Sequence, residues 1–124
     1  MRKNHHIEIG LEGEEIAANF LREKGYDILY KHWTYKHKEV DIIAKYKELL
    51  IIAEVKTRSS EKFSRPEEAV NYKKQRFLVE ATEAFINDYN DFDEIRFDII
   101  SIILQKNEYT IYHIENAFNS LDLL

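Results

Sequence analysis

Between residues 39 and 57 the chain reads as two strongly apolar strands joined by a tight polar turn, and ionisable groups sit inside both. Along residues 49–57, LLIIAEVKT, alternation places Leu50, Ile52, Glu54 and Lys56 on one face and Ile51, Ala53, Val55 and Thr57 on the other. The preceding strand is expected over Glu39 to Tyr46. The polar turn at Lys45, Tyr46, Lys47 and Glu48 folds it back beside its neighbour. An earlier strand is expected over Tyr26 to Lys31. Upstream, the period lengthens to that of a helix, from Ile7 to Lys24, closed by Gly25 as a C-terminal cap. Ile16, Ala17, Phe20 and Leu21 form its inward face, and Glu14 falls within about 20° of Leu21 at 3.6 residues per turn. Gly10 and Gly13 lie on that side and would let the helix backbone approach a sheet closely, whereas Glu12 and Glu15 face outward.

Downstream, a loop carrying Ser59, Ser60 and Pro66 leads into a short helix, PEEAV, with proline in its first turn. A longer helix follows over Tyr72 to Asn87. Its inward face is Phe77, Leu78, Ala81, Ala84 and Phe85, with Lys74 in register at the leading end. Asp88 to Glu94 reads as an acidic loop, IRFDIISIIL and EYTIYHI as strands, and the tail ENAFNSLDLL as a short helix packed through Phe118 and Leu121. The order αβββαββ predicts an α/β sandwich around a mixed sheet. Arg96 and Asp98 share a strand face and read as a structural pair.

The hairpin brings Asp41, at the start of one strand, toward Glu54, near the end of the next. Two carboxylates at that range repel each other, and without a cation one has its pKa pushed upward. Hard oxygen donors converging in this way suit Mg²⁺ or Mn²⁺. The plainer alternative is an exposed strand end where Glu54 and Lys56 form a surface ion pair worth roughly 0–1 kcal/mol. For Glu14 the plainer alternative is an acid favoured by the helix dipole.

At 124 residues, 44% hydrophobic and 13% aromatic, residues 1–124 form one domain with one layered core. No apolar run approaches a membrane span, and the opening residues lack a signal-peptide core. A cytoplasmic protein without membrane association is therefore expected. The absence of cysteine excludes disulfides and thiolate metal sites. The net charge of −5 argues against nucleic-acid binding until it is mapped along the chain. Lys31 to Arg76 carries twelve Lys/Arg against seven Asp/Glu, while the remainder carries six against sixteen. Arg58, Lys62, Arg65, Lys73, Lys74 and Arg76 follow the carboxylates directly and are placed to track phosphates, or else to form a solvated charged surface; Gln75 borders them. The histidines, His5, His6, His32, His37 and His113, show no helical metal-ligand spacing and receive no role. Gly-rich phosphate loops and a Gly-x-Ser-x-Gly elbow are also absent.

The order Glu14, Asp41, Glu54-x-Lys56 across a helix and a hairpin resembles the PD-(D/E)XK nuclease superfamily. More narrowly, GLEGEEIAANFLREKGY resembles the opening helix of the bacterial YraN-like family, related to archaeal Holliday-junction resolvases. EVDIIA, AEVKTRSS, PEEAV, KKQ, RFDII and HIENAF follow in that family's order. Two positions depart from it: Lys38 stands where glycine is usual, which leaves the backbone turn before Asp41 open because glycine tolerates conformations that lysine does not, and His32-Trp33 replaces an Asn-containing pair. The resemblance implies a restriction-endonuclease-like fold and Mg²⁺ (or Mn²⁺) held by Asp41, Glu54 and the Val55 carbonyl. It also implies that Lys56 positions the attacking water, that Glu14 completes the site, and that the activity is hydrolysis of DNA, on branched or structured substrates. A homodimer is expected on the same ground. Two rival readings stay open, an inactive nucleic-acid-binding module and a protein-interaction scaffold.

Overall fold

The computed structural model describes residues 2–59, 70–89, 92–105 and 108–119, with the first helical residues, 2–11, described as backbone alone. Within them the elements are α1 (Arg2–Glu23), β1 (Asp27–Tyr35), β2 (Lys38–Tyr46), β3 (Leu49–Arg58), α2 (Tyr72–Asp88), β4 (Glu94–Gln105) and β5 (Glu108–Phe118). The expected order αβββαββ is present. Residues 66–69 of the PEEAV segment, Lys62, Arg65 and Leu121 lie outside the described residues, as do the side chains of His5 and His6, while Val70 is described and buried.

The strands form one open sheet in the order β1-β2-β3-β4-β5. β1, β2 and β3 are antiparallel neighbours, β3 and β4 run parallel, and β5 returns antiparallel to β4. A parallel pair requires a crossover, and α2 supplies it. The alternation along β3 is realised on two sides. Leu50 and Ile52 meet Phe77, Leu78, Ala81 and Phe85 of α2. Ile51 and Ala53 meet Ala17, Ala18 and Leu21 of α1. One helix therefore covers each face, and the central strands are apolar on both sides because both sides are buried.

The close helix approach falls at Gly13, where an added Cβ would stand 1.8 Å from Thr57 Oγ1 and 2.9 Å from Thr57 Cβ. α1 ends as its sequence predicts. Gly25, at φ +94, donates to the Arg22 carbonyl and Tyr26 to that of Leu21, two bonds that satisfy terminal carbonyls only if the chain turns left-handed there. At α2, the Asn71 side chain accepts from the Lys74 N–H and caps the helix start.

Two expectations need correction, and the open turn before Asp41 is resolved. Residues 115–118 are not helical: β5 runs on to Phe118, whose ring stacks on Phe97 at 4.9 Å, and residues 120–124 of the expected helix lie outside the described residues. Asn116, at φ +53, permits this by carrying the strand through the irregularity in register opposite Phe97 and Ile99, with its N–H donating to Asp98. Lys38 causes no unusual turn, for it is an ordinary strand residue paired with Tyr35, and the left-handed residue is Lys36 at φ +57. Finally, β1 extends past Lys31 to Tyr35 because His32 adopts φ +55, after which Trp33, Thr34 and Tyr35 resume pairing with β2.

That left-handed residue has a further effect. Tyr30 and Ile43 lie on the α2 side of the sheet, and so do Trp33, Tyr35 and Val40. Alternation has thus been reset in both strands at the His32–Asp41 position, since a strict period of two would have sent the later residues to the other face. Among the described residues, no helix is long and apolar enough to cross a membrane.

Candidate functional site

The reset places the carboxylates. Backbone pairing of β2 with β3 ends at Ile42 and Ala53, so Asp41 and Glu54 flank the point where the ladder stops. Asp41 Oδ2 accepts the Val55 N–H at 2.9 Å, replacing the missing backbone acceptor. Glu54, 9% exposed, faces α2 as the alternation requires. Its partner is Lys74 rather than Lys56, with Nζ 3.1 Å from Oε2. The surface-pair reading of Glu54 and Lys56 is therefore excluded, and Lys56 is exposed on the same strand face.

Burial drives the Glu54 carboxyl up to about 8, and a hydrogen bond and like charge from Asp41 add to this, while Lys74 opposes it. At neutral pH Glu54 holds a proton toward Asp41. This is what two crowded carboxylates do when nothing more positive lies between them. Glu14 arrives from α1, as the helix geometry predicted, and is mostly buried. Burial, then the charge of Asp41, raises its carboxyl above the usual range, with His32 pulling the other way. The three carboxylates thus influence one another electrostatically from α1, β2 and β3.

His32 is the residue that sequence reasoning missed. Its Nε2 lies 2.6 Å from Glu14 Oε2 and its Nδ1 3.0 Å from Glu39 Oε2. Glu14 Oε2 is nonetheless buried without a hydrogen bond of acceptable direction, so the short His32 approach is a close polar contact whose alignment is poor. The signal lay in no spacing rule, because only the left-handed backbone at His32 turns its ring toward α1. His113 was also given no role, yet it joins a second, structural cluster. There Asp98 accepts from Arg96 through both oxygens, from the Asn116 N–H, and lies 2.7 Å from His113 Nε2. The pairing of Arg96 with Asp98 is as expected.

Of the proposed phosphate contacts, Lys73 is exposed, while Lys74 turns to Glu54 and Gln75 donates to the Val70 carbonyl, fixing the entry to α2. Among the described residues, no group of three or more His, Asp and Glu side chains is gathered as a metal cage. Asp41 and Glu54 converge as a pair of carboxyl groups, one hydrogen-bonded to the other.

A family model described as "Uncharacterised protein family UPF0102" matches residues 13–102. A UPF0102 protein of Phocaeicola vulgatus is 45% identical over 113 residues, covering 91% of this chain and 93% of the relative. Those of Flavobacterium psychrophilum and Thermodesulfovibrio yellowstonii are 44% and 45% identical, with 91% and 90% of this chain and 95% and 96% of the relatives covered. Glu14, Asp41, Glu54 and Lys56 all fall inside the matched stretch, and the chain belongs to the UPF0102 family, the YraN-like family whose motif order it carries.

Proposed function

We propose that this protein is a metal-dependent endonuclease of the PD-(D/E)XK type, built on a restriction-endonuclease-like sheet and hydrolysing phosphodiester bonds in DNA. The observation that carries the reading is the convergence of Asp41 and Glu54 where the β2–β3 ladder stops, with burial first and Asp41 second holding the Glu54 carboxyl up at about 8. A protein spends stability on crowding carboxylates in this way chiefly where they act.

The residues fit a hard divalent cation, Mg²⁺ or Mn²⁺. The donors are carboxylate oxygens, and Glu14 Oε2 is buried without an aligned hydrogen bond. Asp41, Glu54 and the Val55 carbonyl would hold it, with Glu14 completing the site. When bound, the ion supplies charge neutralisation at the scissile phosphate and a more acidic water. Lys56 orients the attacking water and steadies charge as it develops on the phosphate oxygens. Asp41 keeps β3 in place through Val55 while it does so. His32 lowers the cost of holding Glu14 ionised.

A second reading has its own observation. Lys74 already occupies the Glu54 carboxyl at 3.1 Å, where a cation would otherwise sit, as it would in a nucleic-acid-binding module that has lost its metal. The deciding experiment is cleavage of branched, single-stranded and linear duplex DNA with Mg²⁺ or Mn²⁺, comparing wild type with a Glu54→Ala, Lys56→Ala double variant. Cleavage by wild type alone supports the nuclease. Salt-dependent binding without cleavage by either protein transfers the case to the binding module.

A further inference from the structure

Phe77 lies at the first turns of α2 with two ammonium groups over its ring, Lys38 Nζ at 5.5 Å and Lys74 Nζ at 5.3 Å from the centroid. One cation comes from the start of β2 and the other from α2, and the ring itself is 8% exposed, a fixed floor between them. Tyr35, at the end of β1, packs on the same ring at 6.1 Å. Beside it Lys36 stands over Tyr35 at 5.4 Å, and Arg76 over Tyr72 at 5.9 Å.

Lys36, Lys38, Lys73 and Arg76 are exposed, and none makes an ion pair among the described residues. Only Lys74 has a carboxylate, Glu54. Two like charges facing one ring repel each other, and the ring quadrupole offsets only part of that. An anion lying between them would remove the repulsion. Because Lys74 also touches Glu54, that anion would sit directly beside the carboxylate pair.

We propose that Lys38 and Lys74, held across Phe77, form a clamp for a backbone phosphate of a bound nucleic-acid strand, next to the phosphate presented to Asp41 and Glu54. This rests on the nuclease reading for its substrate class, but not on catalysis. Lys36 and Arg76 widen the same cationic rim. The clamp makes the position before Glu39 a strand-holding position in this chain.

The test is binding of a fluorescent 20-nucleotide DNA, single-stranded and duplex, to the full chain in EDTA, by anisotropy across a salt series. Wild type is compared with Lys38→Gln and with Lys47→Gln. Lys47 is the control because it is exposed, rests over Tyr46 at 5.3 Å, and follows the opposite end of β2. Lys38→Gln is expected to weaken binding about five- to tenfold near 0.1 M salt. It should also reduce the slope of log K against log salt by about 0.9 for duplex or 0.7 for single strand, one phosphate contact. Lys47→Gln should leave both near wild type. Equal effects of the two variants would overturn the clamp while leaving nucleic-acid binding intact. No binding by wild type, or equal binding to polyglutamate of matched charge, would remove the nucleic-acid reading and the clamp with it.

Discussion

Asp41 accepts the backbone N–H of Val55 at 2.9 Å, so a side chain of β2 closes the sheet at the point where its own backbone pairing ends. The same carboxylate crowds Glu54. It therefore carries a structural duty and, in the proposed nuclease, a chemical one, and substitutions can separate them.

Asp41→Asn keeps an oxygen for Val55 and removes the charge. Unfolding in urea should change by no more than about 1 kcal/mol, whereas Asp41→Ala, which strands the N–H, should cost about 1–3 kcal/mol. Both variants should lose Mn²⁺ binding in calorimetry, and with it any cleavage. Metal-dependent cleavage retained by Asp41→Asn would refute the site.

The raised Glu54 carboxyl sets a pH dependence in EDTA. Its ordinary value is 4.5 and its folded value about 8. Between these the native chain holds a proton that the unfolded chain has released, so stability falls as pH rises through the window and levels off above it. Tm measured from pH 5 to 9 should show that decline in wild type and a flatter profile in Glu54→Gln. Mn²⁺ should restore most at the alkaline end, with proton release on binding. Parallel profiles for the two proteins would show that Glu54 is not the titrating group.

Gly13 should not tolerate a side chain. With Thr57 Cβ 2.9 Å from the position a Cβ would take, rotation of the threonine cannot clear the space, and α1 must move off β3. Gly13→Ala should lower stability by about 1–3 kcal/mol despite alanine's better helix propensity. It should also weaken Mn²⁺ binding through the neighbouring Glu14. Thr57→Ala in the same chain removes Oγ1 and Cγ2 but not Cβ, so partial recovery of Tm is the expected result.

His32 separates backbone from charge. Asparagine accepts the left-handed conformation at φ +55, so His32→Asn should hold the fold within about 1 kcal/mol, while the β-branched His32→Val should cost more, by about 1–3 kcal/mol. His32→Asn removes the ring that opposes the raised Glu14 carboxyl, so Mn²⁺ affinity should fall more steeply below pH 7 than in wild type. An unchanged pH dependence would mean that His32 acts through the backbone alone.

Much of this architecture was legible because burial writes a period into the chain. The strict alternation of Leu50 to Thr57 located β3 and the facing of Glu54, and the position of Glu14 relative to Leu21 located its inward aim. Boundaries were less legible where one backbone angle decides. A left-handed His32 extended β1, and a left-handed Asn116 turned an expected helix into the end of β5. Histidine and asparagine admit that conformation without announcing it. The Glu54–Lys74 and His32–Glu14 contacts join elements distant in sequence, so no local spacing encodes them.

The buried Asp98 also bears on how the chain comes apart. Its carboxyl would be raised by burial, but His113, Arg96 and the Asn116 N–H together hold it below the usual range. Through Arg96 to Tyr26, and through His113 to Lys24, it reaches from β4 and β5 back to the exit of α1, across 70 and 89 residues of sequence. Contacts of such separation close large loops, at an entropic cost that grows slowly with loop length. Interactions absent from the transition state govern the rate of escape from the native state far more than the rate of arrival. An Asp98 cluster of this kind should show itself as faster unfolding of Asp98→Asn with refolding near wild type, and slowed refolding would place it in the transition state instead.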